Sequence, residues 1–264
     1  MLLLIKLNEE YQITTDLISR AVAIDSGQSL FYINLGHILQ EQGKLEESVE
    51  VYHQAIHIQP DHADAYSNLI LAQDFLLEIG FKEQQAERQK WNQRFILPLA
   101  NSIRSYPNDR NPERRLRIGY VSADFRRHSA AQAFGPLILN YNQAQFDVFC
   151  YSGVVKEDEI TKRFKDSVSG WYSTLGKSDK ELVEQIRNDE IDILVDLSGH
   201  TSGNRLLAFG YKPAPIQVTG IGAETPGVTT IDYRLTTAIK TRPDEEEHFV
   251  EKPVYLAVSY THLD

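Results

Sequence analysis

A 34-residue period organises the first part of the chain and constrains its fold more than any other feature. Identical residues recur at this offset as Ala21 and Ala55, Ile24 and Ile58, Tyr32 and Tyr66, Asn34 and Asn68, and Leu35 and Leu69. A 34-residue period is typical of the tetratricopeptide repeat (TPR), a helix–turn–helix unit that buries its apolar face by stacking on its neighbours. The sequence therefore predicts an α-helical TPR solenoid, with a coincidental pair of helical hairpins as the alternative.

Residues 29–62 carry the repeat most completely. Tyr32 and Leu39 share one face of a first helix, and Gly36 on that helix predicts a close approach by the second helix. Pro60 predicts the end of the second helix, because proline has no amide donor and clashes with the preceding turn. A further long helix is predicted over residues 81–104, so we assign residues 1–104 to TPR repeats and a linker helix.

The remainder of the chain alternates between strand and helix patterns. A turn-rich segment at 105–112 precedes the change. Strands are predicted at 116–122, 146–151, 171–172, 191–196, 216–218 and 232–235, and helices at 134–142, 157–168 and 179–188. This alternation favours a parallel sheet covered by helices on both faces, so residues 105–256 are predicted to form a Rossmann-like α/β lobe.

Composition excludes several classes of partner. The net charge is −10, which disfavours a nucleic-acid surface because phosphate binding needs clustered positive charge. No apolar run approaches the roughly 20 residues that cross a bilayer, so no membrane partner is expected. Cys150 is the single cysteine, which excludes an intramolecular disulfide and fits a reducing compartment. We therefore expect a cytoplasmic protein.

Two loops follow strands of the predicted sheet, where ligands bind in parallel α/β folds. The first holds His128, whose imidazole can exchange a proton near pH 7, although an ordinary surface histidine is the favoured interpretation of that residue alone. The second contains Gly199 and Gly203, which permit a tight backbone, and His200 and Thr201, which supply polar side chains. A ligand-binding loop and an ordinary strand-to-helix turn are equally compatible with this second pattern.

Longer motifs around these loops resemble one family. They are Leu-Arg-Ile-Gly-Tyr-Val-Ser-Ala-Asp-Phe-Arg-Arg-His at 116–128 and Ile-Leu-Val-Asp-Leu-Ser-Gly-His-Thr-Ser-Gly-Asn-Arg at 193–205, with shorter matches at 146–152, 213–218 and 231–236. Together with the repeats, they resemble the bacterial relatives of the protein O-linked N-acetylglucosaminyltransferases, including the SPINDLY-type enzymes. The resemblance covers residues 29–256.

The resemblance implies a glycosyltransferase of the GT-B fold, of which this lobe would be the N-terminal half. His128 occupies the position of the family's catalytic histidine. The family's Asp-x-x-Gly-x-Thr loop matches Asp196, Gly199 and Thr201, with His200 inside it. The resemblance implies that Asp196 orients groups or relays a proton, and that Gly199, His200 and Thr201 bind substrate.

The family's chemistry implies transfer of a sugar, N-acetylglucosamine from UDP-N-acetylglucosamine, to Ser or Thr of a protein acceptor that the repeats recruit. This nucleotide-sugar is a substrate, and no cofactor or metal is expected. The sequence departs from the family at Ser129, at 219–227 and at Thr237. We interpret residues 257–264 as a non-native tail and the chain as a fragment, inactive alone for want of the donor-binding lobe. A TPR-based adaptor with a non-catalytic α/β lobe is the alternative.

Overall fold

The computed structural model describes residues 2–220, 225–237 and 243–256. Within them the chain forms two compact units that divide between Glu87 and Arg88. The proposed tail at 257–264 and residues 221–224 of the departure from the family pattern lie outside the described residues.

The first unit is helical and confirms the predicted repeat. Its helices, in chain order, are α1 (Leu2–Ile24), α2 (Ser29–Glu41), α3 (Leu45–Ile58), α4 (Ala63–Asp74) and α5 (Phe81–Trp91), and the division between the units falls inside α5. The helix α3 ends at Ile58, two residues before Pro60, as the repeat pattern predicts.

Gly36 allows α2 and α3 to pack closely. A Cβ atom built on Gly36 would lie 2.5 Å from the ring of Tyr52, which is fully buried. The turn between the two helices includes Gly43 in the left-handed region at φ 75°, which glycine adopts without steric cost. The repeat therefore depends on one glycine for packing and on another for its turn.

The segment predicted as one long helix over 81–104 is three pieces. After α5 the backbone widens into a π-helical turn at Asn92–Ile96 and then tightens into a 3₁₀ helix at Leu97–Ser102. Pro98 interrupts the α-helical ladder because it has no amide donor. Residues from Arg88 onward belong to the α/β unit, so the boundary comes earlier than the predicted residue 104.

This earlier boundary has a packing reason. Trp91 and Ile96 are buried, and Gly210 of the α/β unit leaves room for the side chains of Ile96 and Leu99. A Cβ on Gly210 would lie 2.8 Å from Leu99 Cδ1 and 2.9 Å from Ile96 Cδ1. The linker segment is thus part of the core of the second unit.

The second unit contains a parallel sheet, as predicted. Its strands are β1 (Leu116–Ser122), β2 (Phe146–Ser152), β3 (Gly170–Ser173), β4 (Ile193–Asp196), β5 (Ile216–Thr219), β6 (Tyr233–Thr236) and β7 (Lys252–Tyr255). Their order in the sheet is β3-β2-β1-β4-β5-β6-β7, and every neighbouring pair is parallel. The strand β7 was not predicted, because its four residues include Pro253 and show no clear alternation.

The α-helices that follow its strands are α6 (Ser129–Leu139), α7 (Glu159–Ser167), α8 (Asp179–Asn188) and α9 (Leu206–Gly210), and a 3₁₀ helix at Pro243–His248 lies between β6 and β7. The helix α6 begins five residues earlier than predicted, because His128 caps it. Capping boxes start α7 at Asp158 and α8 at Ser178. Cys150 is buried in the core, where burial raises the pKa of its thiol and leaves it protonated, in agreement with an inert core residue.

Across the described part of the chain, no helix combines the length and the hydrophobicity that crossing a membrane requires.

Candidate active site at the switch point of the sheet

The strand order reverses between β1 and β4, which are adjacent although two strands separate them in sequence. In open parallel sheets the crevice at such a reversal is where ligands bind, at the carboxyl ends of the strands. Val121 pairs with Asp196 at the ends of these two strands. The β1–α6 loop (residues 123–128) and the β4–α9 loop (residues 197–205) therefore leave the sheet side by side.

The two loops are in close contact. A Cβ on Gly203 would lie 2.8 Å from the Cβ of Ala123. Gly203 also has φ 75°, in the left-handed region. Both the space and the backbone conformation at this contact therefore require glycine.

His128 lies at the end of the first loop, as the N-cap of α6. Its Nδ1 accepts a hydrogen bond of 3.3 Å from the amide of Ala130, and it lies 3.7 Å from Oδ1 of Asp124. The side chain is 38% exposed. His128 is therefore fixed at one ring nitrogen and accessible to a ligand.

Phe125 attaches this loop to the core. Its ring is fully buried, with centroid distances of 5.5 Å to Phe134, 5.6 Å to Phe164 and 5.4 Å to Trp171. Edge-on aromatic contacts of this kind add to the energy of burial. A buried aromatic residue three positions before His128 thus fixes the base of the loop.

Asp196, at the end of β4, holds the backbone of the β4–α9 loop through hydrogen bonds. Its carboxylate accepts hydrogen bonds from the amides of Ser198 and Gly199 and, at 2.9 Å, from the hydroxyl of Thr219. The residue is 2% exposed, and burial raises the pKa of its carboxyl group against the lowering effect of these bonds. Thr219 opens the segment 219–227 that departs from the family pattern, so this substituted position contacts a predicted site residue.

Gly199 and Thr201 form the turn of the loop. Gly199 has φ 54° and donates its amide to Asp196. The Thr201 hydroxyl donates to the carbonyl of Ser198 at 2.8 Å, and its oxygen can still accept a hydrogen bond. Thr201 is partly exposed, whereas Gly199 is buried, so Thr201 is the more accessible of the two predicted substrate contacts.

His200 points away from this surface. The residue is 5% exposed, its Nε2 lies 2.9 Å from the carbonyl oxygen of Pro226, and its ring meets Trp91 edge-on with centroids 5.1 Å apart. Burial, aided by the charge of Arg88, lowers the pKa of His200 to about 3. His200 is therefore a neutral interior residue here, in contrast to the substrate contact that its position in the motif suggested.

Residues outside the recognised motifs help to hold the described part of the β5–β6 loop (residues 225–232), and three of them are distant from it in sequence or buried beneath it. Arg88 donates from Nε to the carbonyl of Thr225 at 2.8 Å, and Asn92 Oδ1 accepts from the amide and hydroxyl of Thr229. Glu251, buried with a raised carboxyl pKa, accepts from the amide of Val228 and the hydroxyl of Thr225. No local pattern reveals Arg88 or Asn92, since their partners lie 137 residues away.

Family models match both units. The model for glycosyl transferase family 41 matches residues 95–263, and a TPR repeat model matches residues 36–73. The probable UDP-N-acetylglucosamine–peptide N-acetylglucosaminyltransferase SPINDLY of Oryza sativa subsp. japonica is 39% identical over 219 residues, which are 80% of this chain and 23% of that protein. The corresponding probable enzyme SEC of Arabidopsis thaliana is 33% identical over 207 residues, 77% of this chain and 21% of that protein.

A solved structure of a Thermobaculum terrenum O-GlcNAc transferase point mutant is also similar. It superimposes with a TM-score of 0.89 at 34% identity, covering 95% of this chain and 48% of that one. The chain thus spans about half of this solved structure and less than a quarter of the curated relatives it matches. Since the family model covers more than half of the sequence, the chain belongs to glycosyl transferase family 41.

Proposed function

We propose that the protein containing this chain transfers a sugar, N-acetylglucosamine from UDP-N-acetylglucosamine, to Ser or Thr hydroxyls of protein acceptors. The observation that carries the proposal is the contact between Ala123 and Gly203. It brings the loop of His128 and the loop of Gly199 and Thr201 together at the switch point of the sheet. The names of the similar proteins supply the donor and the acceptor class.

In this reaction the acceptor hydroxyl oxygen attacks the anomeric carbon, and the bond from that carbon to the diphosphate breaks. UDP leaves with the electron pair, and the hydroxyl proton passes to a base. A positioned base contributes about 10²–10⁴-fold. His128 is proposed as this base because its ring is accessible and lies at the carboxyl edge of β1.

The proposed base needs a particular tautomer. While Nδ1 accepts from Ala130, the neutral ring carries its proton on Nε2 and can only donate from that atom. If the ring turned so that Nδ1 faced Oδ1 of Asp124, now 3.7 Å away, that carboxylate would favour the tautomer with its proton on Nδ1. Nε2 would give its proton to solvent while Nδ1 took one from solvent, and Nε2 could then accept from the acceptor hydroxyl. His128 can thus serve as a donor or as a base according to which partner Nδ1 faces.

The second loop has the complementary role in the proposal. The Thr201 oxygen is proposed to contact a sugar or phosphate group. Gly199 is buried and its amide is bonded to Asp196, so its proposed role is to form the turn that presents Thr201 rather than to bind substrate as the motif implied. Asp196 has its carboxylate engaged by loop amides and Thr219, so its proposed role is to orient the loop. His200 is not included in the proposed contacts because its ring is buried. The repeats are proposed to recruit the acceptor protein.

The test measures transfer from labelled UDP-N-acetylglucosamine to a protein acceptor by the protein that contains this chain. His128→Asn is the most informative variant, because asparagine keeps an N-cap for α6 and removes the imidazole. The expected result is a fall of about 10²-fold or more, with His57→Asn on the exposed face of α3 as the control. Transfer by His128→Asn at the rate of the parent protein would show that His128 is not the base.

The adaptor alternative is favoured by one observation, that Thr219 fills a position from which the family pattern departs and donates into the interior to Asp196. An adaptor would bind acceptor proteins through its repeats and transfer no sugar. The transfer assay, run beside a measurement of acceptor binding, separates the two functions, since binding without transfer by the parent protein supports the adaptor. The 264-residue chain by itself is predicted to transfer no sugar.

A further inference from the structure

Asp158, at the start of α7, uses its two carboxylate oxygens for different purposes. Oδ1 caps the helix by accepting from the amides of Ile160 and Thr161 at 2.9 and 3.0 Å. Oδ2 reaches across to another segment and accepts from the amide of Arg127 at 2.7 Å. The same side chain therefore begins one helix and holds the residue directly before His128.

The second oxygen is not needed for the capping. The helix α8 begins with a similar capping box at Ser178, whose single hydroxyl oxygen accepts from the amide of Glu181. An aspartate at the start of α7 therefore supplies one acceptor more than the cap requires. That acceptor is directed at the β1–α6 loop.

The contact with Arg127 completes the attachment of that loop. Phe125 fixes its base in the core, and Asp158 fixes the backbone two residues later. The Arg127 bond, followed by the bonds within the cap, holds the pKa of the Asp158 carboxyl below its usual range, which keeps the group ionised at neutral pH. A charged acceptor makes the stronger class of hydrogen bond.

We propose that Asp158 is a positioning residue that sets the location of the His128 ring for sugar transfer. The expected effect of Asp158 on the rate of transfer rests on the proposed function. The expected effect of Asp158 on the position of the loop rests only on its hydrogen bond with Arg127. Displacing a catalytic group by about 1 Å can lower a rate about 10²-fold. Asp158 itself has no contact with the reacting atoms in this role.

The decisive variant is Asp158→Ser, which keeps a one-oxygen cap like that of Ser178 and removes the acceptor for Arg127. Thr161→Val is the matched control, since it removes a capping-box hydroxyl and leaves the Arg127 contact intact. The first measurement is amide hydrogen exchange at Arg127 in the 264-residue chain. We expect exchange to become about 10-fold faster in Asp158→Ser and to stay unchanged in Thr161→Val.

The second measurement is the steady-state rate of transfer by the protein that contains this chain. We expect Asp158→Ser to lower kcat about 10- to 100-fold with an unchanged KM for UDP-N-acetylglucosamine. We expect Asp158→Asn to behave similarly, because one of the two carboxylate oxygens is replaced by an NH₂ group, which donates hydrogen bonds and cannot accept them. Unchanged exchange at Arg127 would overturn the positioning role whether or not the parent protein is active. Faster exchange with an unchanged kcat would overturn its consequence for catalysis. Absence of transfer by the parent protein would contradict the proposed function alone.

Discussion

Gly203 and Ala123 lie in van der Waals contact between the two loops at the switch point, with 2.8 Å between the Ala123 Cβ and the position a Cβ would take on Gly203. The contact joins the loop that carries His128 to the loop that carries Gly199 and Thr201. The contact is between the backbone of Gly203 and the methyl group of Ala123, so it depends on the close approach of the two loops and involves no charge. The lack of a side chain at Gly203 allows the candidate site to form.

Gly203→Ala is therefore expected to destabilise the α/β unit and to displace the loops. Gly176→Ala is the matched control, because Gly176 has φ 70° and a Cβ placed on it would meet no atom of the described residues within 4 Å. The left-handed backbone costs about 1–2 kcal/mol in both variants, and overpacking against Ala123 adds about 1–3 kcal/mol in Gly203→Ala alone. Urea unfolding followed by tryptophan fluorescence measures the difference, since both tryptophans, Trp91 and Trp171, lie in this unit. Equal losses in the two variants would contradict the loop contact.

The burial of His200 predicts a pH dependence of stability. With a pKa lowered to about 3 in the folded protein and an ordinary value near 6.5 in the unfolded chain, the unfolded state binds the proton first as pH falls. The stability present at pH 7 is thus lost progressively below pH 6.5. From pH 7 to pH 5 this residue is expected to lower the free energy of unfolding by about 2 kcal/mol.

The variant that isolates this effect is His200→Gln, which keeps a donor for the Pro226 carbonyl and removes the titrating ring. Its loss of stability between pH 7 and pH 5 is expected to be about 2 kcal/mol smaller than that of the parent chain. His57→Gln, on the exposed face of α3, serves as the control and is expected to leave the dependence as it is. If His200→Gln shows the same pH dependence as the parent chain, the imidazole is not held neutral by the fold.

Replacing Asp196 is expected to test its role as the support of the β4–α9 loop. Asp196→Ala leaves the amides of Ser198 and Gly199 without their acceptor and is expected to cost about 1–3 kcal/mol of stability. Thr219→Val removes one donor to the same carboxylate and is expected to cost less, because both amide bonds remain. Chemical denaturation of the two variants checks this order. An Asp196→Ala protein as stable as the parent would show that the loop holds its shape without the carboxylate.

Gly36→Ala is expected to destabilise the helical unit. The added methyl group would lie 2.5 Å from the buried ring of Tyr52, and overpacking of this kind costs about 1–3 kcal/mol. Gly27→Ala, exposed between α1 and α2, is the control and is expected to change stability little, because its Cβ would lie 3.3 Å from the side-chain oxygen of the exposed Asp25, which can move away. Thermal melting followed by far-UV circular dichroism compares the two. Similar melting temperatures for both variants would contradict the close approach of α2 and α3.

Periodic elements of the fold could be predicted because their signals are local. The offset of 34 identified the repeat, and the apolar run around Leu194 and Val195 identified a buried strand. The helix over 179–188 matched its predicted bounds because Ser178 and Glu181 form a capping box. The start of α6 was missed because histidine is not a usual N-cap, and the prediction at 81–104 did not foresee the change to π and 3₁₀ geometry.

The sequence by itself determined the repeat, the alternating α/β pattern and the family. The first two follow from the spacing of nearby residues, and the family follows from long motifs in a fixed order. Tertiary structure decided which motif residues face a ligand. Two neighbouring positions of one loop differ in this respect. Thr201 is partly exposed, whereas His200 is buried because its ring packs against Trp91 and bonds to the carbonyl of Pro226, which are distant in sequence. Only the fold showed that Asp158 contacts Arg127, 31 residues away. A contact between two elements cannot be predicted from the residue spacing within either of them.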